Sequence, residues 1–125
     1  MRLALSVQTP EVSISLPVAL LSGTWPEKVD KAAQLGVEGL ELMTADPSQV
    51  DVHLLRSVMV ARGIAAVAVG TGAAVMQAGL CLLHADPDLA ARARIRLNEF
   101  ITFAATVGAP LVTIGSFRGR LARAA

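Results

Sequence analysis

The sequence predicts an α/β fold built on a parallel sheet, and three observations predict it. A helix-like stretch runs into glycine and then into a short apolar run at three places. These are Ala32–Gly36 before Gly39–Met43, Val58–Gly63 before Ile64–Val69, and Ala104–Gly108 before Pro110–Ile114. An opening apolar run, Leu3–Val7, supplies a fourth strand candidate. Finally, 54% of the 125 residues are hydrophobic and the mean hydropathy is +0.57, as expected when both faces of a sheet are covered or when a barrel wall is buried. Strands alternating with helices read as right-handed βαβ units. The chain stops soon after its fourth strand, so the expectation is one domain over residues 1–125 that forms part of a larger fold.

Taken in order, Leu3–Val7 reads as a buried first strand. Residues 8–23 are a long connection with two prolines, and Val12, Ile14 and Leu16 alternate within it. Either a small hairpin or an ordered loop fits. Thr24-Trp25-Pro26-Glu27 is a capping box with proline in the first turn, where its missing N–H costs nothing. Val29, Ala32, Ala33 and Gly36 then fall on one helical stripe. After the second strand, Asp46-Pro47 makes a turn and Asp51 is placed to cap a helix whose inner face carries Val52, Leu55, Val58 and Met59. The third strand leads into Gly70-Thr71-Gly72, and the segment from there to His84 fits either a short helix or an extended excursion. Asp86-Pro87-Asp88 starts the longest helix, with Ala90, Ala93, Leu97, Ile101, Ala104 and Ala105 as its apolar stripe. Arg92, Arg96 and Glu99 read as its solvated side. The fourth strand ends at Gly115.

Composition excludes several classes. A net charge of +1 without a basic stripe gives no argument for nucleic acid. The single cysteine, Cys81, permits no internal disulfide and points to a reducing, cytoplasmic compartment. No signal-peptide pattern opens the chain. Residues 63–85 carry no formal charge and are long enough to span a bilayer. Their four glycines and few large aliphatics favour a buried strand and a glycine-rich loop, so no membrane partner is expected.

In parallel α/β folds, ligands bind beyond the carboxyl ends of the strands. Glu41 stands out there, because a carboxylate inside an apolar strand is costly to bury unless paired or ligated. It reads either as a barrel-interior group touching substrate or as the partner of a strand-end arginine such as Arg118. Arg118 reads either as a forked grip on phosphate or carboxylate or as a surface charge. Gly70, Thr71 and Gly72 present backbone N–H groups suited to an anion, and partly match a dinucleotide fingerprint. The third glycine position holds Val75, and a tight turn explains the same residues. His53 and His84 are isolated, so no metal site is expected from this chain alone. Cys81 reads as a core residue.

The layout as a whole resembles the N-terminal half of the xylose-isomerase-like barrel proteins, the sugar phosphate isomerase/epimerase superfamily. The matching features are Leu35-Gly36-Val37-Glu38-Gly39-Leu40-Glu41-Leu42, Val69-Gly70-Thr71-Gly72 with Gly79-Leu80, and Asp86-Pro87-Asp88 with Arg92. Phe103-Ala104-Ala105 with Gly108-Ala109-Pro110, then Val112-Thr113-Ile114-Gly115 and Arg118-Gly119, complete the match. The resemblance implies a partial (β/α)8 barrel, about its first four strands and three helices. It implies a metal-dependent isomerase or epimerase moving a proton next to a carbonyl on a small sugar or polyol, with Mn, Mg, Co or Zn as cofactor. The family's metal ligands and bases lie mostly on later strands, so no catalytic residue carries over. Glu41, Gly70, Thr71, Gly72 and Arg118 carry over as substrate-side contacts. The expected piece is inactive alone, with either a missing half-barrel or a second copy as partner. A small open-sheet module binding a nucleotide or phosphate at Gly70–Gly72 is the competing reading, and a nuclease acting on damaged DNA is a third.

Overall fold

Helix starts in this chain are written in side chains that satisfy orphan backbone donors. The computed structural model describes residues 2–121. Its strands are β1 (Ala4–Gln8), β2 (Gly39–Met43), β3 (Ala65–Gly70) and β4 (Val112–Thr113), and its helices are α1 (Trp25–Gln34), α2 (Val52–Ala61), α3 (Gly72–Ala78) and α4 (Pro87–Val107). Thr24 Oγ1 accepts the Glu27 N–H and the Glu27 carboxylate reaches back to the Thr24 N–H, so the expected capping box is formed. Asp51 accepts the Leu54 N–H at 3.1 Å, and Asp86 accepts the Asp88 N–H at 2.9 Å. Gly108, at φ +83°, ends α4 in the left-handed conformation that side chains resist. Residues 9–23 contain no strand, so the ordered-loop alternative holds over the hairpin. Residues 72–84 divide into the short α3 and an irregular return that turns at Leu82 and Leu83.

The sheet is parallel throughout, in the order β1-β2-β3-β4. Sequential order with right-handed crossovers sends the connecting helices to one face. On that face Val7, Leu40, Leu42, Ala66 and Val69 join Val29 and Ala32 of α1, Leu55 and Met59 of α2, and Ala93, Phe100, Phe103 and Ala104 of α4 in a single core. Trp25 Nε1 donates to the Leu55 carbonyl at 3.0 Å, tying α1 to α2. Phe100 meets Phe117, in a 3-10 turn over Ser116–Arg118, edge to face with centroids 5.7 Å apart.

Four expectations change. The stripe of α4 runs through Ala90, Ala93, Phe100, Phe103, Ala104 and Val107, while Ile101 is 52% exposed and Ala105 is also outside. Burying two phenyl rings removes more apolar area than burying one isoleucine, and this sets the helix rotation. On α1, Ala33 and Gly36 are exposed, and Trp25 and Lys28 occupy the inner side instead. Arg96 is not a solvated charge. Its guanidinium donates to the Ala45 carbonyl and lies 3.6 Å from Asp46 and 3.4 Å from Glu99, fastening α4 to the loop after β2. Finally, β4 is only Val112–Thr113, paired with Val69 and Gly70, and Pro110, which has no N–H to give to a ladder, lies outside it.

The opposite face of the sheet carries Ser6, Gln8, Glu41 and Met43. Two close approaches require glycine on it. A Cβ on Gly39 would stand 2.5 Å from Val67 Cγ1, and one on Gly70 would overlap Met43 Sδ. The first arises at a register shift in which Val67 is the extra residue of β3 opposite Leu40–Glu41. The β1–α1 loop folds over the carboxyl end of this face. Gln8 organises it, donating to the carbonyls of Val12 and Ile14 and accepting the Leu16 N–H, while Val12 and Leu16 pack with Met43, Ala45 and Ala73. The charge-free residues 63–85 are β3, α3 and their connections, and no described helix is long and apolar enough to cross a membrane.

Candidate functional site

Strand β2 alternates Leu40 and Leu42 toward α1, α2 and α4 with Glu41 and Met43 toward the other side, so period-two geometry alone delivers Glu41 to the face opposite those three helices. In-register pairing sets Ser6 of β1 beside it. Ser6 Oγ donates to Glu41 Oε1 at 2.7 Å, and Thr113 Oγ1 of β4 donates to Oε2 at 3.4 Å. The half-buried carboxylate is thus held by two hydroxyls. Arg118 takes no part in this. Its side chain is exposed and makes no ion pair among the described residues, so the Glu41–Arg118 pairing considered from sequence is not formed. The main chain of Arg118 is fixed instead, donating to the Gly115 carbonyl and accepting the Leu83 N–H.

The Gly70–Gly72 segment divides by role. Gly70 closes up to Glu41, whose Cδ would lie 3.6 Å from a Cβ placed there. Thr71 is 1% exposed, and its hydroxyl donates to the Thr113 carbonyl at 2.7 Å. Gly72 opens α3 near Ser116. The structure therefore gathers Glu41, Gly70 and Thr71 around Thr113 and leaves the Arg118 guanidinium outside that group. Thr71 caps no backbone N–H of α3, which is only seven residues long.

A second polar cluster on the same rim centres on Glu11, which the sequence reading did not single out. Thr9, Thr44 and Thr71 each follow the last residue of a strand, and each is 1% exposed or less. That repeated placement was visible in Gln8-Thr9, Met43-Thr44 and Gly70-Thr71. Thr9 and Thr44 both donate to Glu11 Oε1, the latter at 3.1 Å, and the Ala45 N–H reaches Oε2 at 3.4 Å. Burial pushes the Glu11 carboxyl above its ordinary value of 4.5 and nearby Asp46 adds to this, while the two hydroxyls and the N–H pull the other way. Lys28 Nζ donates to the Gln8 carbonyl at 3.0 Å. Burial lowers its pKa, and the Glu11 charge opposes that shift. Asp46 is also affected by burial, which acts to raise it. Its bonds with Ser48 and Gln49 and the charge of Arg96 outweigh that effect and hold it below 3.8.

These shifts fix a sign. A carboxyl raised by folding holds its proton more tightly in the native state, so its contribution is complete below pH 4.5 and is lost as pH rises through the folded value. Asp46 acts oppositely, losing its contribution as pH falls below 3.8. Urea unfolding of wild type and Glu11→Gln between pH 4 and 7 should therefore give stability curves whose difference falls with rising pH above about 4.5. A constant difference would count against a proton on Glu11.

Among the described residues, no three His, Cys, Asp or Glu side chains come together as a metal-ligand set. These residues do not fit the divalent metal that the resemblance implies. No family model matches the chain, and no curated protein matches it.

Proposed function

We propose that the face bearing Ser6, Glu41 and Thr113 is the inner wall of part of a (β/α)8 barrel of the sugar isomerase and epimerase kind, and that it contacts a small sugar or polyol. One observation carries the reading. A parallel sheet in sequential order packs α1, α2 and α4 on one face and presents a carboxylate between two hydroxyls on the other. A doubly wound sheet would have helices on both faces, whereas a barrel keeps one face for its interior. An ionised carboxylate accepts hydrogen bonds from vicinal hydroxyls, and Ser6 and Thr113 can donate or accept beside it. Gly70 lets Met43 and Glu41 pack directly against the β3 backbone. Gly72 and Arg118 belong to the rim in this reading, with Arg118 free to meet a phosphate.

Among the described residues no metal-ligand set is gathered, and no catalytic base carries over from the family, so the family's isomerisation would need groups contributed by a complementary half-barrel or by a second copy. The edges β1 and β4 are each paired on one side only, which suits such a partner. A single cysteine without a disulfide partner suits the cytoplasm.

Calorimetric titration with ketoses, ketose phosphates and a nucleoside monophosphate tests this reading. Saturable sugar binding, weakened on the order of tenfold by Glu41→Gln, is expected. Binding of the nucleotide alone, insensitive to Glu41→Gln, would favour a phosphate-binding module instead. Turnover of ketoses by the isolated chain with Mn would overturn the proposed dependence on a partner.

A further inference from the structure

A buried cation is ordinarily paired with an anion, because desolvating a charge alone is costly. Lys28 departs from this. It is 8% exposed, and among the described residues its amine makes one hydrogen bond, to the Gln8 carbonyl at 3.0 Å, and no ion pair. Glu11, on the β1–α1 loop, acts on it through space without touching it. An ammonium has three donors, so two remain. They face a cleft of about 390 Å³ between the β1–α1 loop and the start of α1, whose lining includes no acidic side chain. A tie to one carbonyl needs no charge, since a neutral donor would make it at lower desolvation cost. The charge therefore calls for a partner in the cleft.

The rest of the lining narrows the ligand. Ser15 and Ser22 are exposed residues of the lining, and Ser22 meets Lys31 through its carbonyl, which leaves its hydroxyl uncommitted among the described residues. Val12 and Trp25 add apolar surface. Gln8 is the last residue of β1, so the cleft opens beyond a strand's carboxyl end, where parallel α/β folds bind ligands. One cation lines it, which suits one negative charge. We propose that this cleft binds a small hydroxy acid, its carboxylate accepting from Lys28 Nζ and its hydroxyls bonding Ser15 and Ser22. Hydrogen bonds between such charged groups are about twice as strong as neutral ones. The anion also offsets the burial that otherwise disfavours the ammonium. The proposal is independent of the role given to Glu41, and it holds for an open sheet as well as for a barrel.

Calorimetric titration of the full chain with glycerate near neutral pH tests this. Saturable binding is expected, weakened on the order of tenfold or more by Lys28→Gln. Arg94→Gln removes the same charge from an exposed position on α4 that lines no part of the cleft, and should leave binding unchanged. Glycerol keeps the hydroxyls without the charge and should bind on the order of tenfold more weakly than glycerate. Equal binding of glycerol, equal loss in both variants, or no saturation by glycerate would overturn the proposal. Tighter binding of inorganic phosphate would overturn its assignment to a carboxylate. A second measurement needs only the wild-type chain, which contains two lysines, Lys28 and the exposed Lys31. Reductive methylation, located by peptide mass spectrometry, should slow at Lys28 when glycerate is present and keep its rate at Lys31. An unchanged rate at Lys28 under saturating glycerate, in a chain whose circular dichroism shows it folded, would rule out the contact.

Discussion

Replacing Phe100 with alanine is expected to cost about 3–5 kcal/mol of folding free energy. Phe100 is fully buried in α4, and its ring meets that of Phe117 at 88°. Phe117 is also fully buried and sits beyond β4, so this contact joins the longest helix to the turn after the last strand. Aromatic residues are scarce here, with three phenylalanines and one tryptophan. Much of the remaining core is alanine, which buries little area per residue and cannot move inward to fill a ring-sized void. A domain of this size has about 5–15 kcal/mol to lose, so the variant should unfold at a much lower urea concentration. A double-mutant cycle with Phe117→Ala should show a coupling of about 0.5–1.5 kcal/mol between the rings. A loss of under about 1 kcal/mol for Phe100→Ala would mean the ring is not packed as described.

Trp25→Ala should have an effect of similar size, about 3–5 kcal/mol. Trp25 is 7% exposed and is the first residue of α1, where the capping box fixes its direction of entry. It packs in the main core while its Nε1–H bonds the Leu55 carbonyl of α2. Trp25→Phe separates the two contributions. It keeps most of the apolar area and removes the hydrogen bond, so about 1 kcal/mol should be lost. Because Trp25 is the only tryptophan, unfolding of both variants is followed by far-ultraviolet circular dichroism. If Trp25→Phe is as damaging as Trp25→Ala, the hydrogen bond rather than the packing fastens α1 to α2.

The two aromatic sites differ in how legible they were. Trp25 lay within a capping box whose register is local, so its position at a helix start was readable from four residues. Phe100 was left off the helix stripe because Ile101 fits the same periodicity. Choosing between neighbouring rotations of α4 required knowing that Phe117 waits beyond β4. The solvated reading of Arg96 failed for the same reason. Its partners Asp46 and the Ala45 carbonyl lie some fifty residues away in sequence, and no spacing rule brings them together.

The amino-acid order by itself determined where α1, α2 and α4 start, where the strands fall to within a few residues, and that Glu41 lies in a strand. Each of these follows from interactions within a few residues: a cap, a left-handed glycine, an alternation of period two. Only the tertiary structure decided what surrounds Glu41 and that the amine of Lys28 and the carboxyl of Glu11 share the rim of β1. Those outcomes depend on strand order and on a loop folding back over the sheet. They balance the burial of charge against hydroxyl and carbonyl partners supplied by distant segments, and that balance has no local signature.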